Sequence, residues 1–174
     1  MTNLKILISA VIASFIGLQA HATDLKVGDE APLFSLQTHE AKEFNLNERK
    51  GNWTVLYFYP KAGTPGCTKQ ACAFRDGIKA IRDLGADVYG ISTDSVKSLQ
   101  AFHNEHKLNF ILLSDEAGKV VKNYGVSMPL LNVAKTWTFI IGPDLKIKEI
   151  EKDVDPLADA KHVAATIQSL KSSK

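Results

Sequence analysis

Apolar residues recur along this chain with two periods, one typical of buried strands and the other of amphipathic helices. Five runs have the apolar or alternating pattern of strands: 53–59, 87–91, 110–113, 137–141 and 146–151. Four segments place apolar residues at steps of three and four, as helices do: 67–84, 96–106, 115–124 and 157–170. The order of these elements predicts an α/β domain in which helices flank a central mixed sheet.

The character of each run predicts its place in the sheet. Run 53–59 is almost continuously apolar, which suits a central strand covered on both faces. Run 146–151 alternates and follows a Gly-Pro-Asp turn, which predicts a hairpin ending in an edge strand. Before them, 25–50 predicts short extended pieces and turns. The loop 128–131 is apolar, and we expect it to fold back onto the core, where Trp53 and Trp137 should also lie.

The first 22 residues have the pattern of an export signal. Lys5 precedes an apolar run, 6–18, that is too short to span a membrane comfortably, and Ala20-His21-Ala22 has the small-x-small form of a cleavage site. We expect cleavage after Ala22 and a mature domain of residues 23–174, periplasmic in a Gram-negative organism. The alternative is an uncleaved N-terminal anchor.

Composition narrows the function only slightly. The chain has 174 residues, 45% hydrophobic and 23% charged, which is ordinary for one globular domain with a real core. The formal net charge is +2, so charge gives no case for binding nucleic acid or an acidic membrane surface.

Both cysteines of the chain lie just after the most apolar strand. Pro65 and Gly66 open the helical segment, so Cys67 falls in its first turn. There the positive end of the helix dipole and the unpaired backbone N–H groups favour a thiolate, which is the reactive form of cysteine. The sequence therefore predicts that Cys67 is a nucleophile.

The spacing of the cysteines separates their side chains. Cys67 belongs to the inner stripe with Ala71, whereas Cys72 shares the outer face with Arg75. Two Cα atoms five residues apart on an ideal helix are roughly 8 to 9 Å apart, whereas a disulfide needs about 4.4 to 6.8 Å. A bond between these cysteines would therefore require the first turn to unwind.

Other uses of two cysteines fit less well. A static disulfide is the main alternative in an exported protein, but it would close a very short loop, which gives little chain-entropy stabilisation, and it would distort a helix. Two cysteines supply too few ligands for zinc. Attachment of c-type haem needs Cys-x-x-Cys-His, which the chain lacks.

The stretch from Tyr59 to Asp76 resembles the active-site segment of the peroxiredoxins. Their signature of Pro, three residues, Thr, two residues and Cys stands here as Pro60, Thr64 and Cys67. The longer run is similar to the peroxiredoxin Q branch, also called bacterioferritin comigratory protein, which often has a second cysteine where Cys72 stands. Further matches extend the resemblance over nearly the whole mature chain, at 28–34, 90–94 and 113–115.

This resemblance implies a thioredoxin-like fold and a peroxidase that reduces hydrogen peroxide or organic hydroperoxides without metal or bound cofactor. It implies that Cys67 becomes a sulfenic acid, that Cys72 resolves it as the Cys67–Cys72 disulfide, and that a thioredoxin-like protein reduces this disulfide. Thr64 would offer its hydroxyl to the thiolate or peroxide, and Pro60 would shield the site. N–H groups near Gly66 would bind the peroxide oxygens. We expect a monomer without stable membrane association.

One position departs from the branch, which has an arginine three residues before the Phe of a Thr-Phe-hydrophobic run. That position is Thr136 here. Either Lys135 or Arg75 supplies the positive charge, or activity is reduced, and a lysine lacks the fork of an arginine. Losing a positioned donor commonly costs about 10²- to 10³-fold in rate.

A second function class stays open. An exported thiol–disulfide exchange protein, or a non-catalytic binding module, could have the same fold. An exchanger of the thioredoxin type normally carries Cys-x-x-Cys, whereas four residues separate Cys67 from Cys72 here. The cysteine pattern therefore favours the peroxidase.

Overall fold

The computed structural model describes residues 24–173, so the export signal predicted for 1–22 lies outside the described residues. The strands and helices follow in chain order: β1 (Ser35–Thr38), β2 (Glu43–Asn45), a 3-10 turn (Leu46–Arg49), β3 (Trp53–Phe58), α1 (Pro65–Asp83), β4 (Ala86–Ser92), α2 (Val96–Glu105), β5 (Ile111–Ser114), α3 (Lys119–Asn123), β6 (Trp137–Ile141), β7 (Ile147–Glu151) and α4 (Asp159–Ser172). Among these residues, no helix is both long enough and apolar enough to cross a membrane.

The strands form a mixed sheet in the order β2-β1-β5-β4-β3-β6-β7. β3, β4 and β5 run parallel at its centre, and the remaining neighbours pair antiparallel. All six residues of β3 are buried, as the apolar run predicted, and β7 lies at an edge. The predicted α/β architecture with a central mixed sheet is confirmed.

Helices cover the sheet on both faces. The apolar stripes of α1, α2 and α4 pack on one face, where Phe74, Leu99 and Val163 join the same cluster. The short α3 and the segment before β1 cover the other face, with Val121 and Ala31 in a second cluster. Helix α1, which carries both cysteines, therefore lies over the parallel centre of the sheet.

Helix α4 holds α1 near both ends. Midway along α1, a Cβ atom at Gly77 would lie 3.2 Å from the Cβ of Ala160, so the glycine allows the two helices to approach closely. At the C-terminal end, Lys171 Nζ donates a 2.6 Å hydrogen bond to the carbonyl oxygen of Leu84, which caps α1. Near the N-terminal end, Gln70 of α1 contacts Asp159 of α4.

Two predicted helix boundaries are wrong. Helix α3 begins at Lys119 and not at 115, because Gly118 adopts a left-handed φ of 65° and the Asp115 carboxylate accepts hydrogen bonds from the first helical N–H groups. Helix α4 begins at Asp159, because Asp155 holds the preceding residues in a turn. Leu157 is consequently 68% exposed and is not part of the apolar stripe.

The prediction that loop 128–131 folds back onto the core is also wrong. Ser127 pairs with Ala134 in an isolated bridge, and the main chain closes over itself between them. This small hairpin leaves Leu130 fully exposed and Leu131 largely exposed at its tip. Trp53 is buried as predicted, whereas Trp137 is only half-buried.

Candidate active site

The loop between β3 and α1 is held in place by the carboxylate of Asp94. This aspartate follows β4, the parallel neighbour of β3, so the two strands end at the same edge of the sheet. Asp94 Oδ2 accepts hydrogen bonds from Ala62 N and from Ser92 Oγ, both at 2.8 Å. The loop that precedes Cys67 is therefore fixed by a charge-assisted hydrogen bond.

Cys67 is the third residue of α1 and is 7% exposed. It packs in the cluster beneath α1 with Tyr57 and Tyr59. In the part of the chain described, 24–173, no side chain forms a hydrogen bond or ion pair with its sulfur. The polar groups that the fold offers Cys67 are the backbone N–H groups of the first turn, for which a helix has no carbonyl partners.

Cys72 lies on the more open side of the same helix. It is half-buried, and both cysteines are free thiols. Helix α1 runs unbroken from Pro65 to Asp83, so Cys67 and Cys72 are in the helical geometry that keeps them too far apart to bond. The predicted difference in orientation, with Cys67 inward and Cys72 outward, agrees with their burial.

The other residues of the signature surround the start of α1. Pro60 is half-buried two residues after the end of β3, and Thr64 occupies the N-cap position of α1. The Thr64 hydroxyl donates a 3.1 Å hydrogen bond to the carbonyl oxygen of Lys61 and does not cap the helix. Gly66 is exposed in the first turn, where N–H groups have no carbonyl partner within the helix.

Neither cation considered for Cys67 is placed beside it. Lys135 Nζ lies over the ring of Trp137, 5.1 Å from its centroid, on the other face of β6 from α1. Arg75 binds Asp76 through Nε at 2.8 Å and the carbonyl oxygen of His106 through a second nitrogen at 2.8 Å. Asp76 raises the pKa of Arg75, with a further contribution from Cys72, so Arg75 belongs to the surroundings of the second cysteine.

Thr136 directly precedes β6 and is half-buried. Strand alternation places it on the same face as Thr138, whose hydroxyl points toward α4. A side chain at position 136 therefore starts on the face of the sheet that α1 covers, as a cationic partner of Cys67 would need to.

Two buried tyrosines, Tyr57 on β3 and Tyr59 just after it, pack beneath α1. The ring of Tyr57 stacks on Tyr59 and on Phe74, with centroids 5.3 and 4.7 Å apart. Burial raises the pKa of both tyrosines, which favours their neutral phenol form. They supply shape and exclude water beneath Cys67.

Sequence reasoning missed a buried polar group next to the cysteines. Gln70 on α1 binds Asp159 at the start of α4, and Thr138 on β6 binds the same carboxylate. Burial raises the pKa of Asp159, while the hydrogen bonds from Gln70 and Thr138 lower it. The one signal in the sequence was a glutamine on the otherwise apolar stripe of α1. Across residues 24–173, no three side chains of the His, Cys, Asp or Glu types come together as a metal site.

A thiol in the first turn of a helix, with a second thiol on the same helix, is an arrangement typical of thiol-based redox enzymes. The family model for the AhpC/TSA family matches residues 27–150. Peroxiredoxin Bcp of Escherichia coli K12 is 42% identical over 135 residues, which cover 74% of this chain and 86% of that protein. Chloroplastic peroxiredoxin Q of Sedum lineare is 39% identical over 148 residues, 84% of this chain and 78% of that protein.

The fold gives the same result. The crystal structure of peroxidoxin BcpB from Mycobacterium tuberculosis superposes with a TM-score of 0.78 at 34% identity, and covers 84% of this chain and 98% of that one. The chain belongs to the AhpC/TSA family. It is a thiol-dependent peroxidase of the peroxiredoxin class, and the predicted thioredoxin-like fold and the resemblance to the peroxiredoxin Q branch are confirmed.

Proposed function

We propose that Cys67 is the residue that attacks the peroxide and that Cys72 resolves the product. The Cys67 thiolate attacks one peroxide oxygen, the O–O bond breaks, and the leaving oxygen takes a proton to become water or an alcohol. N–H groups of the first turn, including that of Gly66, stabilise the charge as it moves onto the leaving oxygen. Cys67 is left as a sulfenic acid.

The second step forms the Cys67–Cys72 disulfide. The Cys72 thiolate attacks the sulfur of the sulfenic acid, the S–S bond forms, and hydroxide leaves as water after protonation. A dithiol protein of the thioredoxin type then returns both cysteines to thiols by exchange, entering from the more open side where Cys72 lies. Hydrogen peroxide and organic hydroperoxides are both proposed substrates.

One observation carries this assignment above the others. The two cysteines share one continuous helix, with the buried one in the first turn and the half-buried one a turn and a half later. A static disulfide is not present in this arrangement, and the buried position suits a thiol that reacts with a small molecule. Pro60 and Thr64 are proposed to shape the entrance, and Thr136 leaves the site without the arginine of the branch.

Location and assembly are proposed on the sequence. Ala20-His21-Ala22 supports export with cleavage after Ala22, and the resemblance to the peroxiredoxin Q branch supports a monomer. In a Gram-negative source the enzyme would meet peroxides in the periplasm and would need a reductant of that compartment.

The experiment is mass spectrometry of the reduced mature protein after one equivalent of hydrogen peroxide. We expect the wild type to lose two hydrogens within seconds, with Cys67 and Cys72 joined in one peptide pair. The Cys72→Ser variant should instead gain one oxygen at Cys67, trapped with a dimedone-type reagent.

The control is Cys67→Ser, which keeps Cys72 and the fold. This variant should remain unmodified under the same conditions, because Cys72 is proposed to react only with the sulfenic acid. If the wild-type Cys67 stayed a thiol for minutes, the peroxidase assignment would fail, and thiol exchange with a disulfide substrate would be tested next.

A further inference from the structure

A buried hydrogen-bond cluster ties α1 to α4 at a point between the two cysteines. Gln70 lies three residues after Cys67 and two before Cys72, and its side chain is 0% exposed. Its Nε2 donates a 2.7 Å hydrogen bond to Oδ2 of Asp159, the first residue of α4. A buried amide needs a partner inside the protein, so this contact fixes the position of the second turn of α1.

The acceptor of this bond is itself held in place. Asp159 is 2% exposed, and its Oδ2 also accepts a 2.8 Å hydrogen bond from Thr138 Oγ1 on β6. Within residues 24–173, Asp159 Oδ1 and Gln70 Oε1 have no hydrogen-bond partner. The three side chains thus connect α1, the sheet and α4 through a single carboxylate oxygen.

The contact of Gln70 with Asp159 opposes formation of the proposed disulfide. Cys67 and Cys72 are roughly 8 to 9 Å apart at Cα on a helix, whereas a disulfide needs about 4.4 to 6.8 Å. The helix must therefore open between them, and Gln70 is in the segment that opens. When that segment moves, the Gln70 amide leaves Asp159, which keeps only its bond from Thr138.

We propose that Gln70, Thr138 and Asp159 form a latch that stabilises the wound state of α1 and so limits how often the helix opens to bring Cys72 to Cys67. The latch rests on the proposed two-cysteine cycle. It makes these three residues positioning residues, because their side-chain hydrogen bonds go to one another and not to a reacting sulfur. A hydrogen bond to a charged group is worth roughly a factor of ten or more in an equilibrium, so the latch sets how often Cys72 can reach Cys67.

The first test measures the latch without any peroxide. Backbone amide hydrogen exchange is followed over residues 69–73 in the reduced protein, for wild type and for Gln70→Met, which keeps the length of the side chain but removes the donor. We expect exchange in this segment to rise about tenfold. The control is Gln100→Met, the same substitution at an exposed position of α2, which should leave exchange in α1 unchanged.

The second test measures the disulfide step by rapid mixing with peroxide and alkylation at set times. Gln70→Met should form the Cys67–Cys72 disulfide about tenfold faster once the sulfenic acid is present. Its sulfinic acid yield at excess peroxide should be lower, because the sulfenic acid is exposed to a second peroxide for less time.

Thr138→Val repeats both tests from the other side of the latch and should act in the same direction with a smaller effect. Its matched control is Thr54→Val, because Thr54 is buried on β3 and its hydroxyl has no partner within residues 24–173. The Thr138→Val variant also keeps the latch testable if Gln70→Met fails to fold.

The outcomes separate the two proposals. If the wild type forms no disulfide with peroxide, the two-cysteine cycle is wrong. The amide hydrogen exchange data would still show whether Gln70 stabilises the helix between the cysteines. If the wild type forms the disulfide but neither latch variant changes the rate of disulfide formation, the latch is overturned. That holds even where amide hydrogen exchange in residues 69–73 becomes faster.

Discussion

Replacing Gly90 by alanine should test how tightly the aromatic residues beneath α1 are packed. Gly90 lies on β4 beside Tyr57 of β3. An added Cβ would meet three atoms of the Tyr57 side chain at 2.6 to 2.8 Å, whereas ordinary contacts begin near 3.4 Å. The glycine is therefore required by the close approach of an aromatic ring.

The ring has little room to move away. Tyr57 is 0% exposed and its ring is stacked against those of Tyr59 and Phe74, with the ring of Phe110 edge-on at 5.9 Å. Overpacking of a tight core costs about 1 to 3 kcal/mol, and Gly90→Ala should fall at the upper end of that range. In a domain of this size the midpoint of thermal unfolding should drop by roughly 5 to 10 °C.

The assay is urea unfolding of the reduced protein, carried out in a double-mutant cycle with Tyr57→Leu. The smaller leucine leaves space for the new methyl group, so the cost of Gly90→Ala should shrink by at least about 1 kcal/mol in that background. The reasoning is refuted if Gly90→Ala costs less than about 0.5 kcal/mol, or if its cost is the same in both backgrounds.

Three further predictions concern the site, its pH dependence and export. Thr136→Arg should speed the oxidation of Cys67 by about tenfold or more in competition kinetics with peroxide, because it returns a cation to the face covered by α1; Lys135→Ala, whose ammonium lies over an indole ring, should not change that rate. Burial raises the pKa of Asp159 in the folded protein above its pKa in the unfolded chain. The stability that the protonated carboxyl contributes is therefore complete at pH values below the unfolded-chain pKa, and it is lost as the pH rises through the folded-state pKa. The unfolding free energy of Asp159→Asn minus that of the wild type should accordingly rise with pH between these two pKa values. A difference that does not change with pH would contradict the raised pKa of Asp159. N-terminal sequencing of the exported protein should begin at Thr23; detection of the intact N-terminus in that fraction would favour the uncleaved anchor.

Local patterns predicted much of this structure. The strand at 53–58 and the helix after it follow from apolar periodicity and from Pro65, because both signals lie within a few neighbouring residues. The inward direction of Cys67 and the outward direction of Cys72 follow from the same periodicity. The position of Cys67 in the first turn of a helix could therefore be predicted from the sequence.

Contacts between distant parts of the chain could not be predicted from such local patterns. Asp94 reaches Ala62 across 32 positions because β3 and β4 are parallel neighbours. Gln70 reaches Asp159 across 89 positions because α4 packs on α1. The exposed tip of the loop at Leu130 depends on a small hairpin whose pairing no hydrophobic pattern specifies.

These long-range contacts give the proposed cycle its order. Within residues 24–173, no charged side chain binds the Cys67 sulfur, so in the proposed cycle the N–H groups of a wound first turn are the polar groups left to stabilise negative charge at the site. The same turn must unwind before Cys72 can reach it. Attack on peroxide and resolution therefore need opposite states of one short segment of α1. A contact that stabilises the wound state, such as that of Gln70 with Asp159, favours the first step at the expense of the second. The balance between them is set by α4 and β6, outside the cysteine motif itself.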